Sequence, residues 1–150
     1  MRRILLPFTG ASISRRALEA AVRLAKAEDA TVMPAFLAKV PLNLPLDAAL
    51  PSRCLQGMPL LEAIEQKAAA QGARVDSRVS RGRSARDALR RQLEAEDVDR
   101  VIVPASGWDS GLKAADVEWL LQRVPAEVLV LRPAPSDRRR ISGEAVAGHF

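Results

Sequence analysis

Short apolar runs alternate along this chain with stretches in which apolar residues recur at helical spacing. Residues 3–7 form the first apolar run, and a turn at Thr9 and Gly10 separates it from a helical stretch. The apolar positions of that stretch, which share one helix face, are Ala17, Leu18, Ala21, Val22 and Ala25. Ser12 or Ser14 is the predicted cap of this helix. The alternation is typical of βαβ units and predicts an α/β fold built on a parallel sheet.

The second predicted strand, residues 30–40, contains a proline in its interior. Pro34 has no N–H group to donate to a sheet ladder, so we expect a bulge or an irregular edge there. Residues 41–57 hold three prolines and show little periodicity. They predict a long loop, of the kind that is usually functional or mobile in a compact domain.

The rest of the chain continues the same alternation. The further predicted elements are a helix from about residue 58 to Gly72, a half-buried strand at 74–80, a helix at 85–96, a strand at 98–103, a helix through 117–124 and a strand at 128–131. Ser84 and Asp87 form a capping box in front of the helix at 85–96. Five strands and four helices are thus expected in one domain, residues 1–133. Residues 134–150 lose the periodicity and carry three consecutive arginines, which predicts a flexible, basic C-terminal tail.

Length and composition agree with a single domain in a reducing compartment. A chain of 150 residues with 48% hydrophobic content can bury a sizeable core without covalent staples. Cys54 is the single cysteine, so no disulfide framework is expected. The apolar run at 4–8 is too short for a signal peptide or a membrane span. We therefore expect a cytoplasmic protein that is neither exported nor inserted into a membrane.

Positive charge is concentrated in one segment of the chain. The arginines of this segment, called here the arginine cluster, are Arg74, Arg78, Arg81, Arg83, Arg86, Arg90 and Arg91. Aromatic residues make up only 3% of the chain and tyrosine is absent, so bases would find few stacking platforms. We interpret the cluster as a solvated face and expect no nucleic-acid partner. The alternative is a module that binds polyanions or nucleic acid through this Arg74–Arg91 segment.

Catalytic and metal-binding patterns do not stand out in the sequence. No arrangement of serine, histidine and aspartate nominates a nucleophile and its base, and no cysteine and histidine spacing predicts a metal site. The sequence therefore predicts no catalytic residue, no metal and a protein that is not an enzyme.

Two segments of the chain resemble the universal stress protein family. The opening, Ile4-Leu5-Leu6-Pro7-Phe8-Thr9-Gly10 followed by Arg16-Ala17-Leu18, is similar to the family's first strand, turn and helix start. The second half resembles the family in Gly82 before a helix, Asp99-Arg100-Val101-Ile102-Val103, Gly107, and Val128-Leu129-Val130-Leu131-Arg132-Pro133. The resemblance runs to about Pro133. It implies a three-layer, Rossmann-like sandwich of the adenine nucleotide alpha hydrolase-like type, with a five-stranded parallel sheet in the order 3-2-1-4-5.

The resemblance also marks the positions that hold ATP in one branch of the family. In that branch glycines after the fourth strand let backbone N–H groups approach phosphates, and a Gly-Ser or Gly-Thr pair follows. Pro104 stands at the first glycine position here, Gly107 keeps the second, and Ala114 and Ala115 replace the later pair. Thr9 stands where the family has an aspartate after the first strand. Losing three or four such contacts costs on the order of 4 kcal/mol, or about a thousandfold in affinity.

These departures lead us to expect a regulatory or binding module of the stress response, without catalysis and with weak or no ATP or AMP binding. Its partner would be an unidentified regulatory protein or small ligand. The alternative is a nucleotide-binding member with slow ATP hydrolysis, in which Thr9, Leu37, Ser106 and Gly107 hold the nucleotide in a changed geometry.

The last predicted strand bears on assembly. Its residues, Val128, Leu129, Val130 and Leu131, form an apolar run without charge or proline, and the connectivity makes this strand a sheet edge. An edge of that kind is a template for pairing with another strand. We therefore expect a homodimer joined through this strand, as the resemblance also implies.

Overall fold

A parallel β-sheet forms the middle layer of the molecule. The structure is a computed structural model that describes residues 2–104 and 112–143. Its strands are β1 (Arg3–Phe8), β2 (Ser12–Ser14), β3 (Thr31–Lys39), β4 (Arg74–Val75), β5 (Arg78–Gly82), β6 (Arg100–Pro104), β7 (Glu127–Leu131) and β8 (Arg140–Ser142). Strands β4 and β5 lie end to end beside β3, and the order across the sheet continues β3, β1, β6 and β7. Counting β4 and β5 as one strand position, the predicted order 3-2-1-4-5 is confirmed.

Helices cover both faces of this sheet. They are α1 (Arg15–Glu28), α2 (Met58–Ala70), α3 (Ala85–Ala95) and α4 (Ala114–Arg123). Buried residues of α1 and α2 pack with Ile4, Leu6 and Phe8 on one face. Those of α3 and α4 pack with Leu5 and other alternate strand residues on the opposite face. The three-layer α/β sandwich predicted from the sequence is confirmed.

Pro34 lies in an interior strand that is itself regular. It pairs with Leu6 of β1, and β3 runs on without interruption from Thr31 to Lys39. The carbonyl of Val32 accepts a hydrogen bond from the Asp76 N–H, so the polar groups of Val32, and of Pro34 two residues later, face the β4/β5 side. That neighbouring strand is broken between β4 and β5 at this level. The predicted irregularity therefore lies in the neighbour, and the missing N–H faces a gap in the ladder.

The predicted helix ends are largely confirmed, with one difference in detail. The Oγ of Ser84 accepts from the Asp87 N–H, as a capping box requires. The Asp87 carboxylate, however, accepts from the N–H of Arg83 at 2.9 Å. Gly72 follows α2 with a φ of 85°, a left-handed conformation that suits glycine.

The segment expected to be a flexible tail carries a strand. Within residues 134–143, β8 pairs antiparallel with β2, and Ile141 is 5% exposed in the core beside α1 and α2. The prediction of a flexible tail from residue 134 is therefore wrong for this part. A lone apolar residue after three arginines gives too weak a sequence signal, because its partner strand lies far away in the chain. The remainder, 144–150, falls outside the described residues.

The long predicted loop is confirmed between β3 and α2. Apart from one short 3₁₀ turn at Ser52–Cys54, residues 40–57 contain no regular element. Among the described residues, no helix is long and apolar enough to cross a membrane.

Candidate functional site

A cleft opens at the edge of the sheet where the central strands end. It has a volume of about 180 Å³. Its lining residues are Thr9, Phe36, Leu37, Lys39, Arg53, Cys54 and Gln56. Thr9 follows β1 directly. Leu37 and Lys39 come from the end of β3, the strand that pairs with β1. Ligands of open α/β sheets bind at the carboxyl ends of the strands, which makes this cleft the candidate site.

The loop before α2 forms the second wall of the cleft. Gly57 permits this wall to lie close to the sheet, because a Cβ at that position would stand 3.0 Å from Cζ of Phe36. The Phe36 ring in turn stacks on Phe8, with the ring centroids 5.8 Å apart. The cleft is therefore bounded by Phe36, which rests on Phe8, and by Arg53, Cys54 and Gln56 of the loop.

Two of the residues predicted for the site, Thr9 and Leu37, are brought together in this cleft. The sequence reasoning did not select Lys39, Arg53 or Gln56. Lys39 could have been found, since it follows Leu37 by two positions and shares its strand face at the carboxyl end. Arg53 and Gln56 carried no such signal, because the path of the long loop decides their position.

The other predicted residues lie apart from this lining or beyond the described chain. Pro104 ends β6 and is buried, whereas Ala114 and Ala115 open α4 and are exposed. None of these three residues lines the cleft. Ser106 and Gly107 fall outside the described residues.

The first turn of α4 carries its own negative charge. Asp116 is 8% exposed, and its carboxylate accepts from the backbone N–H of Lys113 at 3.2 Å. The same carboxylate accepts from Nε of Arg86 at 3.0 Å. Backbone N–H groups at a helix N-terminus favour an anion, and here a side chain of the protein supplies it. This residue also escaped the sequence reasoning, although an acidic residue in the first turn of a predicted helix is a recognisable signal.

Every arginine of the arginine cluster has a partner within the chain. Arg74 binds Asp29, Arg78 binds Asp76 and Glu96, Arg81 and Arg83 bind loop carbonyls, Arg86 binds Asp116, Arg90 binds Asp87 and Glu94, and Arg91 binds Asp87. Some of these pairs lower the pKa of the carboxylate that they contain. A hydrogen bond from the Arg78 side chain is the main cause that lowers the pKa of Glu96 to about 2. The pKa of Asp87 is lowered first by the backbone N–H of Arg83 and then by the side chains of Arg90 and Arg91.

The arrangement offers groups that could bind a ligand. The cleft combines two cations, an amide, a hydroxyl and an apolar floor, which suits a small polar or anionic ligand. Across residues 2–104 and 112–143, no group of three histidine, cysteine, aspartate or glutamate side chains could hold a metal ion.

Comparison with known proteins identifies the family of this chain. The sequence model of the universal stress protein family matches residues 1–132. No curated protein sequence matches the chain.

Solved structures with the same fold are numerous. A universal stress protein family member from Burkholderia pseudomallei is 19% identical, with a TM-score of 0.63 over 88% of this chain and 96% of its own. A universal stress protein in complex with cAMP is 18% identical, with a TM-score of 0.67 over 89% and 98%. One from Arabidopsis thaliana with AMP bound is 14% identical, with a TM-score of 0.66 over 91% and 94%. At these identities the structures establish the shared fold, whereas the family match rests on the sequence itself. The chain belongs to the universal stress protein family.

Proposed function

We propose that this universal stress protein is a non-catalytic binding or regulatory module of the cytoplasm that holds ATP weakly. The observation that carries the proposal is the Asp116 carboxylate in the first turn of α4. This helix start follows β6, so it lies towards the same edge of the parallel sheet as the cleft. The carboxylate already occupies this helix start and forms an ion pair with Arg86, so neither the Lys113 N–H nor Arg86 is free for the phosphates of a nucleotide.

Pro104 and the cleft dimensions support the same conclusion. Pro104 offers no N–H group at the end of β6, where an approaching phosphate would need one. The cleft of about 180 Å³ lies below the roughly 300–1,000 Å³ that is typical of small-molecule sites. A ligand smaller than ATP, with one anionic group for Lys39 and Arg53, suits this space better.

Calorimetry with Mg-ATP tests the proposal on the full chain. The expected dissociation constant is in the high micromolar range or weaker, and a low-micromolar constant would refute weak binding. Asp116→Asn keeps a hydrogen-bond acceptor at the helix start and removes the charge, so it should tighten Mg-ATP binding by about tenfold. Asp47→Asn removes one negative charge from the loop without touching α4 and serves as the control for net charge.

A second pair of changes restores groups that the family resemblance marks. Pro104→Gly with Thr9→Asp returns a backbone N–H and a carboxylate, and it should raise the affinity for Mg-ATP. An unchanged affinity in this double variant and in Asp116→Asn would contradict the explanation given for weak binding.

The second candidate function is a nucleotide-binding protein with slow hydrolysis. The related structures with cAMP and with AMP support the nucleotide-binding part of this candidate. Calorimetry with AMP and with cAMP shows which of the two nucleotides the protein binds more tightly. Phosphate release from ATP tests hydrolysis. Binding of AMP in the low micromolar range with measurable phosphate release would favour this candidate over the first.

A polyanion-binding function finds little support in the geometry. The charges of the arginine cluster are engaged with carboxylates and carbonyls of the chain itself. We expect only weak attachment to DNA that falls steeply with salt. Nanomolar, sequence-specific binding in a filter assay at physiological salt would overturn this expectation.

A further inference from the structure

Residues 134–143, the described part of the C-terminal segment, leave the sheet after β7 and pair with β2, which follows β1. This segment, called here the strap, follows the edge strand β7 and ends beside the start of α2. The family match stops at residue 132, so the strap lies outside the matched domain.

The strap is fixed to the connection between β1 and α1. Strand β8 pairs antiparallel with β2 through Ser12–Ser142, Ile13–Ile141 and Ser14–Arg140. Arg140 adds two further contacts, in which its guanidinium donates to Oγ of Ser12 at 2.7 Å and to its carbonyl at 3.3 Å. Ser12 is only three positions from Thr9, which lines the cleft.

The strap also replaces the cap that α1 lacks. Ser14 holds the cap position, yet its hydroxyl makes no cap hydrogen bond and is buried without a partner among the described residues. The N–H of Arg15 instead donates to the carbonyl of Arg139 at 2.9 Å. Asp137 lies 3.6 Å from Arg16 in an ion pair at the same helix start. The first turn of α1 therefore depends on the strap for its partners.

The far end of the strap contacts the start of α2, which directly follows the loop that forms the other wall of the cleft. Gly143 packs so closely on α2 that a Cβ there would stand 2.8 Å from the carbonyl carbon of Pro59. Pro59 is three positions from Gln56, which lines the cleft. Ile141, between these two attachments, is buried against both helices.

We propose that the strap is an intramolecular latch that ties the two walls of the cleft together and controls access to it. Docked, it holds the β1–α1 connection and the start of α2 in their positions. Undocked, it releases both walls, and the cleft opens. A two-stranded pair such as β2 and β8 is marginal by itself, so undocking requires far less free energy than unfolding of the domain. The latch does not depend on the proposed function, because it acts on the cleft with or without a nucleotide.

Cys54 supplies the measurement, since it is the single cysteine and lines the cleft. The rate of its reaction with dithiobis-nitrobenzoate, measured on the full chain without ligand, reports access to the cleft. Arg140→Ala removes the contacts to Ser12, and Gly143→Val places a side chain against Pro59. Each variant should raise the rate by about fivefold or more, because local opening becomes more frequent. Arg138→Ala is the matched control, because Arg138 is an exposed strap arginine without a hydrogen bond or ion pair to the described residues, and it should leave the rate unchanged.

Hydrogen exchange on the unaltered protein gives an independent test. The amides of residues 13–15 and 140–142 should exchange together, more slowly than loop amides and faster than those of β1. Unchanged Cys54 reactivity in both folded variants would overturn the latch. Amides of 13–15 that exchange as fast as loop amides in the unaltered protein would overturn it as well, even if a variant failed to fold.

Discussion

Gly82 is a position where one missing side chain determines how two elements approach. It ends β5, and a Cβ there would lie 2.7 Å from Cα of Ala88 on α3. Atoms in real proteins do not come so close, so any other residue would push α3 away from the sheet. The resemblance to the family at Gly82 thus has a physical reason, which is close helix–strand packing and not a ligand contact.

Gly82→Ala should therefore destabilise the domain. The overpacking strain predicts a loss of about 1–3 kcal/mol in the free energy of unfolding. Urea denaturation followed by circular dichroism measures it. Gly10→Ala is the matched control, because a Cβ at Gly10 meets nothing within 4 Å, and its effect should stay within about 0.5 kcal/mol. Equal effects of the two changes would contradict the packing argument.

Glu96 is a carboxylate that links stability to pH. Its hydrogen bonds from Arg78 lower its pKa from the ordinary 4.5 to about 2. A lowered carboxylate pKa means that the folded state binds its proton less readily than the unfolded state. The contribution to stability is therefore complete above about pH 4.5 and is lost as the pH falls towards 2.

Glu96→Gln should lower the free energy of unfolding near neutral pH by about 1 kcal/mol, a value that allows for screening of this partly exposed pair. The difference from the unaltered protein should shrink as the pH falls through the range from 4.5 to about 2. Urea titrations across that range measure it. Glu94→Gln is the control, since Glu94 is 62% exposed and its ion-pair partner among the described residues is Arg90. A difference that is independent of pH would contradict the assigned role of Glu96.

At the scale of elements, the long loop is held by two arginines of β5 and the turn after it. Arg81 donates to the carbonyl of Ala48 at 2.5 Å, and Arg83 donates to those of Pro41 and Leu44 at 2.5 and 2.7 Å. These bonds satisfy backbone carbonyls that no helix or strand can pair. The long loop, which the sequence predicts to be functional or mobile, therefore has specific attachments to β5 and the turn after it.

Arg81→Ala and Arg83→Ala should each free this loop. Arg53 is the single lysine or arginine between Lys39 and Lys67, so tryptic cleavage after Arg53 reports loop opening directly. The cleavage rate should rise by about fivefold or more, since hydrogen bonds from a charged donor contribute roughly 1.5–3 kcal/mol each. Arg91→Ala removes an arginine that pairs with Asp87 on α3 and should leave this rate unchanged. Cleavage that is equally fast in all three variants would refute the attachment.

The helices and strands also show which parts of the fold could be predicted from the sequence. The buried strands and amphipathic helices follow from periodicity, because each carries its own signal within about ten residues. Pairing across long separations leaves no local signal, which explains why the junction of β2 and β8 was missed. The same limit applies to the cleft. Leu37 could be predicted because it lies towards the end of a predicted strand, whereas the positions of Arg53 and Gln56 depend on the path of a loop.

At the scale of the whole molecule, the two edges of the sheet differ. The outer position at one edge is broken into β4 and β5, and such an interruption limits pairing with another chain. Strand β7 forms the other edge without interruption, with Val130 41% exposed. Leu121 on the neighbouring helix α4 is 57% exposed. An apolar edge beside an exposed leucine favours association through β7.

We accordingly predict a homodimer in which the β7 strands of two copies pair antiparallel about a two-fold axis. Light scattering coupled to size exclusion should give twice the 16.3 kDa of one chain at tens of micromolar. Val130→Pro and, more mildly, Val130→Lys should shift the mass towards one chain, because they remove a donor or bring two charges together. Leu42→Lys changes an 87% exposed leucine in the loop after β3 and should leave the dimer intact. A mass of one chain for the unaltered protein would refute the prediction.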